Sequence, residues 1–269
     1  MNIEKEVRKT VKKYNLIKKS EKVVVALSGG KDSTTVLYLL KKLGYNVQGL
    51  MIDLHLGDWS KKNKENVEKF CSELGVKLTI VDLKKEFGHG ICFIKSVVRK
   101  RKNLTGCSVC GVIKKWILNK WAKKLKAAKL ATGHNLDDET QTVLMNFLKG
   151  NVFLGANSTP SSGIATKGFV QRVKPLFFIA ENSIREYSKK MKFPVLYERC
   201  PCAFGTYRVE TRKWLDKIND KEKLEIVKGF QKIIPNLRKK QKTELKICNV
   251  CGEPARREIC KACEIFECI

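Results

Sequence analysis

The sequence predicts an α/β fold, a parallel sheet with helices on both faces, followed by a small zinc-ribbon-like module. Three observations carry this. Short apolar runs alternate with longer stretches of helical periodicity. A Ser-Gly-Gly-Lys-Asp-Ser turn, Ser28 to Ser33, joins the first apolar run to the first helical one. Two Cys-x-x-Cys pairs close the chain. A chain of 269 residues is long enough for one sizeable core with a smaller appendage.

Residues 1–20 read as a basic amphipathic helix with Ile3, Val7 and Val11 on one face. The apolar runs at 23–27, 47–52, 77–81, 130–132 and 169–173 read as strands. Helical patterns at 64–74, 112–128 and 140–148 fall between them. Residues 173–194 read as a loop and then a helix that ends before Pro194. Residues 157–168, rich in Ser, Gly and Thr, read as a flexible loop able to close over a site. Residues 209–240 are helical and basic, suited to a lid over a nucleic-acid groove. Strands alternating with helices make a parallel sheet, and ligands sit at the carboxyl ends of its strands. The domain expectation is therefore 1–20 as a basic helix, 21–200 as the nucleotide domain, 201–245 as a basic helical region and 246–269 as a zinc-binding module.

Lys and Arg number 55 against 27 Asp and Glu, a formal net charge of +28. Such a surface attracts polyanions, nucleic acid first among them. No apolar run reaches membrane-spanning length, and the N-terminus lacks a signal-peptide core. A soluble, cytoplasmic protein is expected, and in that compartment 11 cysteines point to metal binding rather than disulfides.

The Ser28–Ser33 turn lies between a strand and a helix start, where free backbone N–H groups and a positive dipole end favour a phosphate. Gly29 and Gly30 let the backbone approach an anion closely, and Ser28 and Ser33 add hydroxyl donors. The spacing is neither that of a Walker A loop nor G-x-G-x-x-G. After the fourth strand comes Gly133-His134-Asn135-Leu136-Asp137-Asp138. Asn135 or Asp137 suits a helix cap; Asp138 suits a carboxylate turned to the nucleotide, as metal ligand or general base.

Cys107 and Cys110 stand just before the helix expected at 112–128, where thiol pKa values fall and metals bind. Two thiolates do not complete a site, and Cys200 or Cys202 can supply another. Cys248, Cys251, Cys260 and Cys263 form two pairs eight residues apart, the spacing of a closed tetrahedral zinc site. So short a segment needs its metal to fold. Cys71, Cys92 and Cys268 look isolated.

SGGKDS resembles the PP-loop of ATP pyrophosphatases, the adenine nucleotide alpha hydrolase-like fold. With CSVCG, GHNLDD, CPCA and the terminal cysteine pairs, the whole chain resembles the TtuA/TtcA family of tRNA thiolases, closer to the TtuA and NcsA type. The resemblance implies ATP bound at Ala26, Leu27, Ser28, Gly29, Gly30, Asp32, Ser33, Ile52, Leu54, Lys114 and Gly133. It implies Asp138 as the catalytic carboxylate, with Mg²⁺ assisting. It also implies a 4Fe–4S cluster on Cys107, Cys110 and Cys200, with Cys202 standing where relatives commonly carry a Tyr. The implied activity is thiolation of a tRNA base, a uridine C2 oxygen being adenylated by ATP and replaced by sulfur. The donor would be sulfide, a persulfide or a thiocarboxylated ubiquitin-like protein. Relatives of the TtuA type usually begin with a second zinc module, whereas residues 1–21 hold no cysteine or histidine, which leaves the target nucleotide open. Thiolation of a cytidine is the alternative within the family. A lysidine-type or amidating ligase has no use for the three cluster cysteines, and an RNA-binding zinc protein has none for intact SGGKDS and GHNLDD. The sequence is compatible with a homodimer.

Overall fold

The computed structural model describes residues 2–102, 106–162, 168–198, 200–202, 207–240 and 245–269. Its frame is a five-stranded parallel sheet in the order β3-β2-β1-β4-β5. Chain order runs α1 (Ile3–Lys13), β1 (Lys22–Leu27), α2 (Lys31–Lys42), β2 (Asn46–Asp53), α3 (Asp58–Glu73) and β3 (Leu78–Asp82). Then come α4 (Leu83–Phe87), α5 (Ile91–Lys102), α6 (Gly106–Lys124), β4 (Lys129–Ala131), α7 (Leu136–Leu148), a 3₁₀ turn (Val152–Asn157) and β5 (Gln171–Val173). The chain continues through α8 (Glu181–Lys190), α9 (Tyr207–Leu215), α10 (Asp220–Lys240) and a short antiparallel pair, β6 (Lys246–Ile247) and β7 (Pro254–Ala255). It ends in α11 (Lys261–Phe266). Strand order reverses between β1 and β4, so the loops after these two strands open on one crevice.

Alternation along β1 divides the core. Val23, Val25 and Leu27 point to one face and pack with α1, α2, α3 and α8 residues such as Val7, Leu37, Phe70 and Ile184. Val24 points to the other, joining Leu50, Val81, Ile94, Ile113, Ile117 and Ile265. Both faces being covered explains why the strands read as continuous apolar runs. The stripe of α1, Ile3, Val7 and Val11, lies in the first of these cores. Its Asn2 cap accepts from the Lys5 N–H at 3.1 Å. Among the described residues no helix is long and apolar enough to cross a membrane.

Several boundaries differ from expectation. The helix expected at 112–128 begins at Gly106 and ends at Lys124, so Cys107 and Cys110 lie inside its first turns. Gly111 costs this helix about 1 kcal/mol relative to Ala, but Val109 and Ile113 on either side are fully buried and outweigh it. The fifth strand starts at Gln171, so Phe169 stands outside it. The helical, basic stretch expected over 209–240 comprises two helices, α9 and α10. Only α9 borders the cleft described below; Val227, Phe230 and Ile234 of α10 are buried against the α7 side. The described parts of 157–168 are anchored. Ser158 donates to Glu139 at 2.6 Å, and the Ser162 hydroxyl accepts from the Arg172 N–H at 2.9 Å; residues 163–167 lie outside the described residues.

Candidate active site: a nucleotide cradle facing a wall of cysteines

The loop after β1 is tied to itself. The Ser28 N–H donates to the Ser33 hydroxyl at 3.2 Å, and the Gly30 N–H reaches the Ser28 hydroxyl at 3.4 Å. Gly29 adopts φ 79°, a left-handed conformation natural to glycine. Gly30 caps α2 with no side-chain hydrogen bond, so the positive end of that helix stays open to a ligand. Gly133, at the end of β4, lies so close to α2 that a Cβ there would stand 2.7 Å from the Ser33 nitrogen. The two loops thus form one cradle.

Lys31, absent from the sequence expectations, is the charged centre of that cradle. Only 8% exposed, it pairs with Asp32 at 3.0 Å and with Glu181 at 2.6 Å. Glu181 also meets Arg212 of α9. Asn135 donates to Asp32 at 3.1 Å while capping α7, and the α7 start is a full capping box. Asp138 is the other half of that box, accepting from the Asn135 N–H at 3.4 Å. The same carboxylate faces Arg212 at 3.7 Å and Arg208 at 4.0 Å. Asp138 therefore both starts a helix and presents charge to the cleft.

A cleft of about 1360 Å³ is lined by Gly30, Lys31, Asp32 and Asp138 and also by Cys92, Cys107 and Cys202. That exceeds the usual span of a small-molecule pocket, roughly 300–1,000 Å³, and leaves space for a second substrate beside a nucleotide. Its rim carries Tyr197 and Tyr207, the latter under the Lys149 ammonium at 4.3 Å, with Arg185 and Arg208 nearby in the lining. Ala26, Ile52 and Leu54 pack instead at the ends of β1 and β2. Lys114, one turn past Cys110, lies outside these walls. His134, in the loop after β4, shares a hydrogen bond of 2.9 Å with the Thr132 hydroxyl. The protein wall around it and then Lys174, with smaller help from Arg208 and Arg172, favour its neutral form against the opposing pull of Glu139.

Cysteines from three segments meet at the far wall. Cys110 stands within electrostatic reach of Cys107 and Cys200. Cys107 donates to the Cys202 carbonyl at 3.8 Å, and Cys92 of α5 lies 3.9 Å from the Cys202 sulfur. Cys92 is thus not isolated, contrary to the sequence expectation. The expected fall in thiol pKa also fails at Cys110. Burial pushes that thiol up, although Lys114 and Lys95 pull it down. The donor set still fits an iron–sulfur cluster. Soft thiols converge beside two cations that would offset thiolate charge, and ligands to different irons need not crowd as ligands to one ion do.

The four terminal cysteines do crowd. Cys248, Cys251, Cys260 and Cys263 keep their sulfurs within 4.8 Å of one another, the single such group among the described residues. Burial opposes ionisation of Cys248, but N–H groups of Cys260, Cys251 and Val250 outweigh it and bring the thiol to about 6. Four close sulfurs with N–H···S support fit a tetrahedral zinc ion with no open position. This module docks on α6 and on the end of α4. Asn119 donates to Glu253 at 2.6 Å, Lys123 meets the same carboxylate, and the Phe266 ring stacks on Phe87 at 4.4 Å.

A PP-loop domain model matches residues 1–196. The chain is 34% identical over 270 residues to the tRNA-5-methyluridine(54) 2-sulfurtransferase of Pyrococcus horikoshii, covering 98% of this chain and 84% of that one. It is 27% identical to the tRNA 2-thiolation protein NcsA of Haloferax volcanii, covering 100% of this chain and 90% of the relative. The solved U34-tRNA thiolase NcsA from Methanococcus maripaludis, with its 4Fe–4S cluster, superposes at a TM-score of 0.81. It is 30% identical, and the match covers 98% of this chain and 86% of that one. A parallel sheet with a glycine cradle at its switch point, the cysteine wall opposite and these full-length likenesses agree: the chain belongs to the PP-loop family, in its tRNA 2-thiolation group.

Proposed function

We propose that this protein is an ATP-dependent tRNA thiolase acting on a base carbonyl, a uridine C2 oxygen first. The observation that carries the reading is that Gly30, Lys31 and Asp32 line the same cleft as Cys107. Carbonyl oxygen is a poor leaving group, and adenylation turns it into AMP. The base oxygen attacks the α-phosphorus, pyrophosphate leaves, and sulfur then displaces AMP from the ring carbon.

The chain's own groups suit these steps. The Ser28–Ser33 loop and the open end of α2 bind phosphate oxygens, and Lys31, held by Asp32 and Glu181, adds charge where pyrophosphate develops it. Asp32 and Asp138 are hard oxygen donors of the kind Mg²⁺ takes. Asp138 is the proposed catalytic carboxylate, with Arg208 and Arg212 steering it and neutralising phosphate. Tyr197 and Tyr207 on the rim suit stacking on an unpaired base. Cys107, Cys110 and Cys200 would hold a 4Fe–4S cluster, which supplies an iron with a free position for sulfur. Zinc on the terminal cysteines would be structural.

The test is anaerobic turnover of unmodified tRNA with ATP and sulfide, followed by nucleoside mass spectrometry. AMP formation with 2-thiouridine is expected, and 2-thiocytidine would move the target to a cytidine. AMP formation that yields no thionucleoside would overturn the reading.

A further inference from the structure

Five cysteines gather here, with Cys92, Cys107 and Cys202 in the cleft lining and Cys110 and Cys200 within electrostatic reach of each other behind it, and the reaction proposed above uses three. The remaining two, Cys92 and Cys202, are neighbours in space although 110 residues apart in sequence. Cys92 is the second residue of α5 and exposed; Cys202 follows Pro201 and is half-buried. Both line the cleft. Their sulfurs stand 3.9 Å apart, and a disulfide needs about 2.05 Å, so the pair must draw closer to bond. The Cys202 carbonyl accepts from Cys107 at 3.8 Å, so anything released at this pair appears beside the cluster thiols. Burial and then the neighbouring Cys202 hold the Cys92 thiol above its ordinary range, and Lys95, one turn along α5, pulls the other way, so the donor meets the pair mainly as thiols and the fraction present as thiolate reacts.

We propose that Cys92 and Cys202 form a redox-active dithiol that takes sulfane sulfur from a persulfide or polysulfide and releases it into the cleft as hydrosulfide. This rests on the thiolase reading and names the class of its sulfur source. The more exposed Cys92 thiolate attacks the outer sulfur of a donor R–S–SH. A new S–S bond forms on Cys92, the donor's S–S bond breaks, and RS⁻ leaves with the electron pair. Cys202, as thiolate, then attacks the Cys92 sulfur. The Cys92–Cys202 disulfide forms and HS⁻ leaves with the pair. The dithiol has lost two electrons and the sulfane sulfur has gained two. An external dithiol, by a second exchange, returns the pair to its reduced form.

The test uses the full chain, reconstituted anaerobically with iron and sulfide, desalted and then given inorganic polysulfide with no dithiol. Sulfide released above a protein-free blank is measured, and disulfides are mapped by peptide mass spectrometry. Release of close to one hydrosulfide per chain with a Cys92–Cys202 disulfide is expected. Both signals should fall at least ten-fold in Cys92→Ser and in Cys202→Ser, with the visible absorption of the cluster retained and no loss in Cys71→Ser. Equal release from the variants, or a disulfide mapped instead to Cys107, Cys110 or Cys200, overturns the proposal. So does loss of cluster absorption in either serine variant, which would make that thiol a ligand. Thiolation with free sulfide in the unaltered protein is run alongside. Its failure counts against the thiolase reading, whereas absent hydrosulfide release counts against the dithiol.

Discussion

The indole N–H of Trp116 donates to the sulfur of Cys251 at 3.4 Å. With the Asn119 and Lys123 contacts to Glu253, this bond ties α6, the helix that carries Cys107 and Cys110, to the four-cysteine module. Phe266 of the module also meets Trp116 edge-on at 5.5 Å, so the contact is both polar and aromatic. Trp116→Phe keeps most of the ring contact and removes the donor. A hydrogen bond of this kind contributes about 1 kcal/mol, and in a chain of this size the melting temperature should fall by roughly 2–4 °C. Loss of zinc to a chelator should quicken in the same variant, because an N–H···S bond steadies the ligand. Unaltered melting and unaltered zinc release would reduce Trp116 to a packing residue.

The module itself should bind one zinc ion per chain through Cys248, Cys251, Cys260 and Cys263. Deleting it would strip Ile265 and Phe266 from the core around α6, so the better variant is Cys260→Ser in the full chain. Elemental analysis should show zinc lost and iron kept. Zinc that stays bound would place the ion elsewhere.

Gly133→Ala tests the join between the two loops. The added carbon would meet the Ser33 nitrogen at 2.7 Å and the Asp32 carbonyl carbon at 2.9 Å. Both are backbone atoms at the start of a helix and cannot swing aside as a long side chain would. The cradle must open, and ATP affinity should drop at least ten-fold while the far wall keeps its cluster absorption. Isothermal titration with a non-hydrolysable ATP analogue reads the change directly.

How much of this could be seen in sequence depends on how local each feature is. The Ser28–Ser33 cradle was legible because a strand, a glycine pair and a helix start are neighbours in the chain. The terminal cysteines were legible because their spacing is short and fixed. Gly111 misled, since a glycine beside cysteines reads as a turn, and only the burial of Val109 and Ile113 carries the helix through it. Helix α5 left a usable signal, Ile91, Ile94 and Val98 at helical spacing and all fully buried, and with it Cys92 would have been placed on a helix. The Lys31–Glu181 pair and the meeting of Cys92 with Cys202 were not legible. They join residues more than a hundred positions apart, and nothing local marks such partners.

Asp138 needs a substitution that separates its two roles. Alanine would remove both the capping contact to Asn135 and the charge facing Arg208 and Arg212. Asp138→Asn leaves an oxygen to accept from the Asn135 N–H and removes only the charge and basicity. Melting should stay within about 0.5 kcal/mol of the unaltered protein, as for most changes that spare a structural contact. Thiolation should fall by a factor on the order of 10²–10⁴, the usual cost of losing a general base. A variant as active as its parent would leave Asp138 a helix-start residue alone.

The third cluster ligand is the remaining choice, and it lies between Cys200 and Cys202. Cys200 is close enough to act electrostatically on the half-exposed Cys110 thiol, whereas Cys202 touches Cys107 through its carbonyl and Cys92 through its sulfur. A carbonyl that accepts from one cluster thiol turns the Cys202 backbone, rather than its side chain, toward that ligand set. A fourth thiolate would also occupy the iron position that sulfur needs. Cys107→Ala, Cys110→Ala and Cys200→Ala should each lose the visible absorption of the cluster after anaerobic reconstitution. Cys202→Ala should keep it at near the parental iron content. If absorption survives in Cys200→Ala and vanishes in Cys202→Ala, the two cysteines exchange roles, and the Cys92 thiol is left without its partner.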